Sequence, residues 1–121
     1  MSEDKDQDFV WKVKNGEEAG VKACVEIELF NVNKQIQGRY PLHYAADYGQ
    51  TEVIEYLLSK GANINAPDKY GISPLLSAIF EGHTPSVKLL LERGADKSGK
   101  SPDGASYIDC AEKDEIKALL K

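Results

Sequence analysis

Through the middle of the chain, apolar residues fall at helical rather than strand spacing. Val53-Ile54 and Leu57-Leu58 form a stripe at i, i+3, i+4 intervals, the mark of a helix with one buried face. The stripe stops at Gly61. The segment from Asn63 to Tyr70 has no helical period and contains Pro67, so it predicts an extended loop with a tight turn. A second stripe ends at Leu90-Leu91 before Gly94, and the offset from the first is 33 residues.

The residues upstream of the stripes repeat at the same interval. Gly38-Arg39-Tyr40-Pro41-Leu42-His43-Tyr44-Ala45-Ala46-Asp47-Tyr48-Gly49 aligns without a gap on Gly71-Ile72-Ser73-Pro74-Leu75-Leu76-Ser77-Ala78-Ile79-Phe80-Glu81-Gly82. Pro41 and Pro74 suit the first position of a helix, where a missing N–H costs nothing. Ser73 can cap the helix that follows it. Ala45, Ala46 and Ala78 let two helices approach closely, and Gly49 and Gly82 permit the left-handed turn that closes the first helix. Each unit therefore predicts two helices and a turn.

The frame extends both ways. Stepping back 33 residues sets Phe9, Val13, Gly16 and Val21 on Leu42, Ala46, Gly49 and Ile54. Glu28-Leu29-Phe30 stands there in place of a helix-ending Gly-Ala. Stepping forward reaches the turn Pro102-Asp103-Gly104 and a shortened unit ending Ile116-Lys117-Ala118-Leu119-Leu120. The expectation is an all-α solenoid of four stacked helix-turn-helix repeats with β-turn fingers, over residues 9–33, 34–66, 67–99 and 100–121. The outer two act as caps, each covering one apolar face and wetting the other.

Pro41-Leu42-His43-Tyr44-Ala45-Ala46 and Gly61-Ala62-Asn63-Ile64-Asn65 resemble the ankyrin-repeat family. Tyr40 stands where that family usually has Thr, which takes one hydroxyl cap from the helix. The resemblance implies that His43 hydrogen-bonds between neighbouring loops, and it gives His83 a place at the turn between helices.

In such a stack the turns and first helices line the concave side. The register places Trp11, Tyr44 and Ser77 in one column, Lys14, Asp47 and Phe80 in a second, and Asn15, Tyr48 and Glu81 in a third. Gln37, Arg39, Asp68, Lys69, Tyr70 and Ile72 lie at the turn tips. The candidate partner-binding set is Trp11, Lys14, Arg39, Tyr44, Asp47, Tyr48, Asp68, Lys69, Tyr70, Phe80 and Glu81. Aromatics and arginine are the residue types that dominate binding hot spots, each worth about 2 kcal/mol or more on truncation. Trp11 has a second reading as the cover of the open N-terminal end, and Tyr44 as packing against neighbouring first helices.

Composition narrows the function. The chain has 121 residues and a net charge of −5, with no basic cluster, which argues against nucleic acid. Residues 1–8 carry a charged stretch without an apolar residue after Met1, which predicts a flexible acidic N-terminal arm ahead of a single domain over 9–121. Cys24 and Cys110 read as reduced, partly buried small hydrophobes. No run is long enough to span a bilayer and none has the form of a leader peptide, so the expected setting is cytoplasmic, with the nucleus open to a monomer this small. Enzymatic chemistry is not expected. The two histidines and two cysteines lack metal-ligand spacing, no phosphate-cradling loop occurs, and the carboxylates fall mainly on solvent faces. No cofactor is expected either.

A closer resemblance rests on Asn65-Ala66-Pro67-Asp68-Lys69, Phe9-Val10-Trp11, Ser73-Pro74-Leu75-Leu76-Ser77-Ala78 and the abbreviated last repeat. These resemble a branch of small four-repeat ankyrin proteins. That resemblance implies a partner, the heterodimeric actin capping protein, and an action, steric blocking of its capping of filament barbed ends. An ankyrin adaptor or inhibitor binding a transcription factor of the Rel type, or another protein, is the alternative. The chain departs from the branch at Tyr48, where a small residue is usual, at Tyr70, where histidine is, and in a slightly longer acidic arm.

Overall fold

The computed structural model describes residues 2–121, with side chains from Asp4 onward; Met1 of the predicted arm lies outside the described residues. Eight helices follow in chain order among them: α1 (Ser2–Lys14), α2 (Glu18–Glu26), α3 (Pro41–Asp47), α4 (Thr51–Ser59), α5 (Pro74–Phe80), α6 (Thr84–Glu92), α7 (Tyr107–Cys110) and α8 (Asp114–Leu120). They pair as α1/α2, α3/α4, α5/α6 and α7/α8. The first helices of the pairs pack in one row, α1 on α3 on α5 on α7, and the second helices in another, α2 on α4 on α6 on α8. The all-α repeat stack read from the sequence is the fold.

The two rows share one core. Phe9, Val13, Leu42, Ala46, Leu75 and Ala78 fill the first row, and Val21, Ile54, Leu57, Val87, Leu90 and Ile116 the second, all fully buried or within 1% of it. Short fingers project between pairs, closed by bridges between Ile36 and Arg39 and between Lys100 and Ser106.

Capping follows the sequence in one repeat and replaces it in another. Ser73 Oγ accepts from the Leu76 N–H at 3.1 Å, starting α5. At the equivalent place Tyr40 has no such hydroxyl. Instead His43 Nδ1 reaches back to accept the Tyr40 N–H at 3.1 Å, half of a reciprocal capping box. The turn after α3 needs its glycine doubly: Gly49 has φ +66, and a Cβ there would lie 2.7 Å from the His83 ring.

The acidic stretch, expected as a flexible arm, lies within a helix, α1 running unbroken from Ser2. Its carboxylates suit the positive end of the helix dipole. Asp6 also pairs with Lys34 at 2.8 Å, and Asp8 with Lys12 at 2.8 Å. The first repeat is not in strict frame. Gly16 and Gly49 stand 33 apart, but Asn31 and Asn63, which make the same turn, stand 32 apart. An extra residue after α2 is cancelled by one fewer before Gly38. In the regular units the chain leaves the helix with Ala62 N–H on Leu57 O at 3.0 Å; here Phe30 N–H reaches Cys24 O at 2.9 Å, one residue further. Leu29 takes the left-handed position with φ +59, and Phe30 stacks on Phe9 with ring centroids 4.2 Å apart.

Candidate functional site

The fingers of the second and third repeats and helices α3 and α5 border a hollow of about 280 Å³ on the first-helix side of the stack. It is lined by Arg39, Asp47, Asp68, Tyr70, Ile72, Ser77, Phe80 and Glu81. A second depression, bordered by Asp47, Tyr48, Glu81 and His83, adjoins it through Asp47 and Glu81.

The hollow is organised around one guanidinium. The bridge between Ile36 and Arg39 fixes the finger, with Ile36 N–H donating to Arg39 O at 2.7 Å. From there Arg39 Nε donates to Asp68 Oδ2 at 2.9 Å and Nη2 to Ser77 Oγ at 2.9 Å, while Nη1 pairs with the Asp47 carboxylate. The Asp68 side chain is fully buried. Its Oδ1 accepts the N–H groups of Tyr70 (2.8 Å) and Ile72 (3.0 Å), which shapes the next finger. Burial pushes the Asp68 carboxyl up, but these N–H groups and Arg39 outweigh it and hold it below the usual carboxylate range. Burial likewise opposes the charge on Arg39, and Asp47 and Asp68 more than restore it.

His43 ties this finger to the helix behind it. Its Nε2–H donates to the Ile72 carbonyl at 2.7 Å while Nδ1 accepts from Tyr40, so both ring nitrogens are used. That is the loop-to-loop role the family resemblance implies. Burial pushes the imidazole pKa down, and Arg39 adds to the effect against the pull of the Ile72 carbonyl, Asp68 and Asp47.

The predicted residues divide into two groups. Tyr44 and Asp68 are buried rather than presented, at 6% exposure each. Tyr44 gives its hydroxyl to Ile36 O at 2.6 Å, so its packing reading is the one the structure has. Arg39 and Asp47 are half-buried and spent on each other and on Asp68. These four form the floor and frame. The presented set is Trp11, Tyr48, Tyr70 and Phe80, each about half exposed (48–59%). The exposed Glu81 stands with them, and two lysines lie over the rings: Lys14 Nζ is 5.5 Å from the Tyr48 centroid and Lys69 Nζ 5.1 Å from that of Tyr70. Tyr70, Phe80 and Glu81 share one hollow with Tyr48 beside it, whereas Trp11 and Lys14 lie on α1, toward the end of the row. Trp11 is 56% exposed, which does not fit a seal over the open end.

Sequence reasoning missed the contacts of four residues. Ser77 was placed in a column but not recognised as Arg39's partner. His83 donates from Nε2 to Asp47 O at 2.9 Å, linking one repeat's turn to the next. Asn33 accepts the Asn63 N–H at 3.0 Å, and Asn65 repeats the contact on Asp96 at 2.9 Å. The recurring Asn-x-Asn was the available signal, hidden by the 32-residue step.

A family model of ankyrin repeats in three copies matches residues 9–101. The chain is similar to myotrophin of Xenopus tropicalis, with 54% identity over 116 residues that cover 95% of this chain and 98% of that one. It is 42% identical to the 26S proteasome non-ATPase regulatory subunit 10 of Dictyostelium discoideum over 94 residues, 76% of this chain but 40% of that protein. Over 110 residues it is 31% identical to the human inhibitor of Bruton tyrosine kinase, 88% of this chain but 8% of that protein.

Proposed function

The chain belongs to the ankyrin-repeat family, in the branch that myotrophin represents, and is a protein-binding module; from that membership we propose that its concave face binds the heterodimeric actin capping protein and sterically blocks capping of filament barbed ends. The observation that carries the reading is the aromatic group Tyr48, Tyr70 and Phe80 held half out of solvent around a braced hollow. Large aromatic rings left exposed on a rigid frame give contact area at little entropic cost on binding. Repeat periodicity does not demand them, since the matching positions one repeat earlier carry Asn15, Gln37 and Asp47. The likeness to myotrophin along nearly the whole chain supports the choice of partner. The net charge of −5 suits encounter with a basic surface, such as one that engages acidic actin filaments.

The test is a titration of purified capping protein with the intact chain, followed by elongation of bare filament seeds challenged with capping protein pre-mixed with the chain. The expected result is saturable binding and restored elongation. Tyr48→Ala/Tyr70→Ala/Phe80→Ala should weaken binding by about 10,000-fold, given roughly 2 kcal/mol per hot-spot ring, while leaving the helical spectrum unchanged. No binding at micromolar concentration sinks the proposal.

A further inference from the structure

Ile27 and Leu29, at 79% and 80% exposure, are the two most exposed large apolar side chains among the described residues, and the concave face does not include them. They stand just beyond α2, in the segment that breaks the repeat frame. Leu29 has φ +59, where the regular units use Gly61 and Gly94, both at +93. A bulky residue in the left-handed region is strained, and strain that persists without burial points to function. The extra residue does let Phe30 stack on Phe9, which accounts for the insertion. It does not account for aliphatic side chains at 27 and 29, which point into water.

Their surroundings have a definite character. Glu26 and Glu28 alternate with them, and Glu26 accepts a hydrogen bond from Tyr56 OH at 2.6 Å, joining the segment to α4. Tyr56 lines a hollow of about 700 Å³ in the outer row, with Leu58 and Ile64 among its apolar walls and Glu52, Glu55, Lys22 and Arg93 among its charged ones. Helices α2 and α4 with their flanking residues hold Glu17, Glu18, Glu26, Glu28, Glu52 and Glu55 against Lys22 and Lys60. Glu18 pairs with Lys22 and Glu55 with Arg93; Glu26, Glu28 and Glu52 have no cation partner among the described residues. Lys22, Lys60 and Arg93 offset three of these six carboxylates, Lys22 and Arg93 themselves lining the hollow, so an excess of carboxylate still borders the apolar strip.

We propose that the segment Glu26–Leu29 and the adjoining outer hollow form a second docking surface, for an amphipathic helix whose apolar stripe is flanked by Lys and Arg. Charge complementarity selects a basic occupant, and the exposed aliphatics supply its apolar contact. The surface lies on the second-helix row, so it can be filled while the concave hollow is occupied.

The probe is a labelled helical peptide of Leu and Lys, with a Leu/Glu peptide of the same pattern as control, titrated into the full chain at physiological salt. One-to-one micromolar binding of the Leu/Lys peptide is expected. Ile27→Ser/Leu29→Gly should weaken it about tenfold or more, although this pair changes no charge. Leu29→Gly alone should melt no lower than the parent, because glycine relieves the strained backbone, so lost binding is not lost fold. The Tyr48/Tyr70/Phe80 alanine variant should bind the peptide normally, which separates this surface from the concave one. Equal binding of the Leu/Glu peptide, unchanged binding by Ile27→Ser/Leu29→Gly, or loss in the concave variant overturns the proposal. So does a dimer that dissolves on Ile27→Ser/Leu29→Gly, since the occupant is then a second copy.

Discussion

Asp68 carries a carboxylate in a place where water does not reach it, and Arg39 is the charge that makes this tolerable. Removing Arg39 leaves the carboxylate buried without a cation, a change that typically costs about 3–5 kcal/mol. Arg39→Ala should therefore lower the urea midpoint sharply. Arg39→Lys should recover only part of the loss, because an ammonium cannot serve Asp47, Asp68 and Ser77 from one plane. Equal stability of Arg39→Ala and the parent would contradict this account. His43 sets a pH dependence with a definite sign. Burial lowers its pKa in the folded chain, so the unfolded chain takes up the proton first, near the ordinary value of about 6.5. Stability should fall as pH drops through that region and level off below the folded-state value. Asp68 adds a second acid limb: its carboxyl is held low when folded, so its contribution is present above the ordinary carboxylate range and lost as pH falls through the folded-state value. Urea titrations at a series of pH values should show the first limb vanish in His43→Gln and the second remain. Arg39 and Asp68 were visible in the sequence as turn-tip residues. Their direction was not, because periodicity assigns a register and cannot show that charges 29 positions apart meet.

Helix ends decide which backbone positions tolerate change. Gly49 and Gly61 both have positive φ, at +66 and +93. A Cβ at Gly61 meets nothing within 4 Å, whereas one at Gly49 collides with His83 and displaces its bond to the Asp47 carbonyl. Gly61→Ala should cost about 1–2 kcal/mol from backbone conformation alone. Gly49→Ala should cost about 1 kcal/mol more, from the lost hydrogen bond. Thermal melts of the two variants compare them directly, and equal values would remove His83 from the account. Helices α3 to α6 were legible because proline, alanine, glycine and paired leucines mark their starts, contacts and ends twice over. The first repeat was legible only in part. Its insertion and its deletion cancel between Gly16 and Gly49, so a frame checked at the glycines passes over both. The helical start of α1 was missed because an acidic run without apolar residues carries no periodic signal. What holds it is the pairing of Asp6 with Lys34, 28 residues away.

A stack in which each unit touches only its neighbours does not have one stability but several. The last repeat is the thinnest, with a four-residue α7 and a seven-residue α8. It is held by Tyr107, buried and bonded through its hydroxyl to Ser73 Oγ at 2.8 Å, by Lys113 Nζ on the Gly82 carbonyl at 2.7 Å, and by Ile116, fully buried beneath α6. Ile116→Ala removes the apolar anchor at a cost of about 2–5 kcal/mol, which is comparable to what docks a unit of this size. Leu57→Ala removes a similar volume, but from α4, which packs against α2, α3 and α6. The two variants should differ in reach rather than in magnitude. By hydrogen exchange, Ile116→Ala should strip protection from α7 and α8 and spare α3 to α6. Leu57→Ala should lower protection throughout the central repeats. The concave hollow is built from α3, α5 and the fingers between them, so Ile116→Ala should also keep the binding face while losing the end of the molecule. Uniform loss of protection in Ile116→Ala would mean that the four repeats fold as one indivisible unit, and the hollow would then depend on the C-terminal cap as much as on the residues that line it.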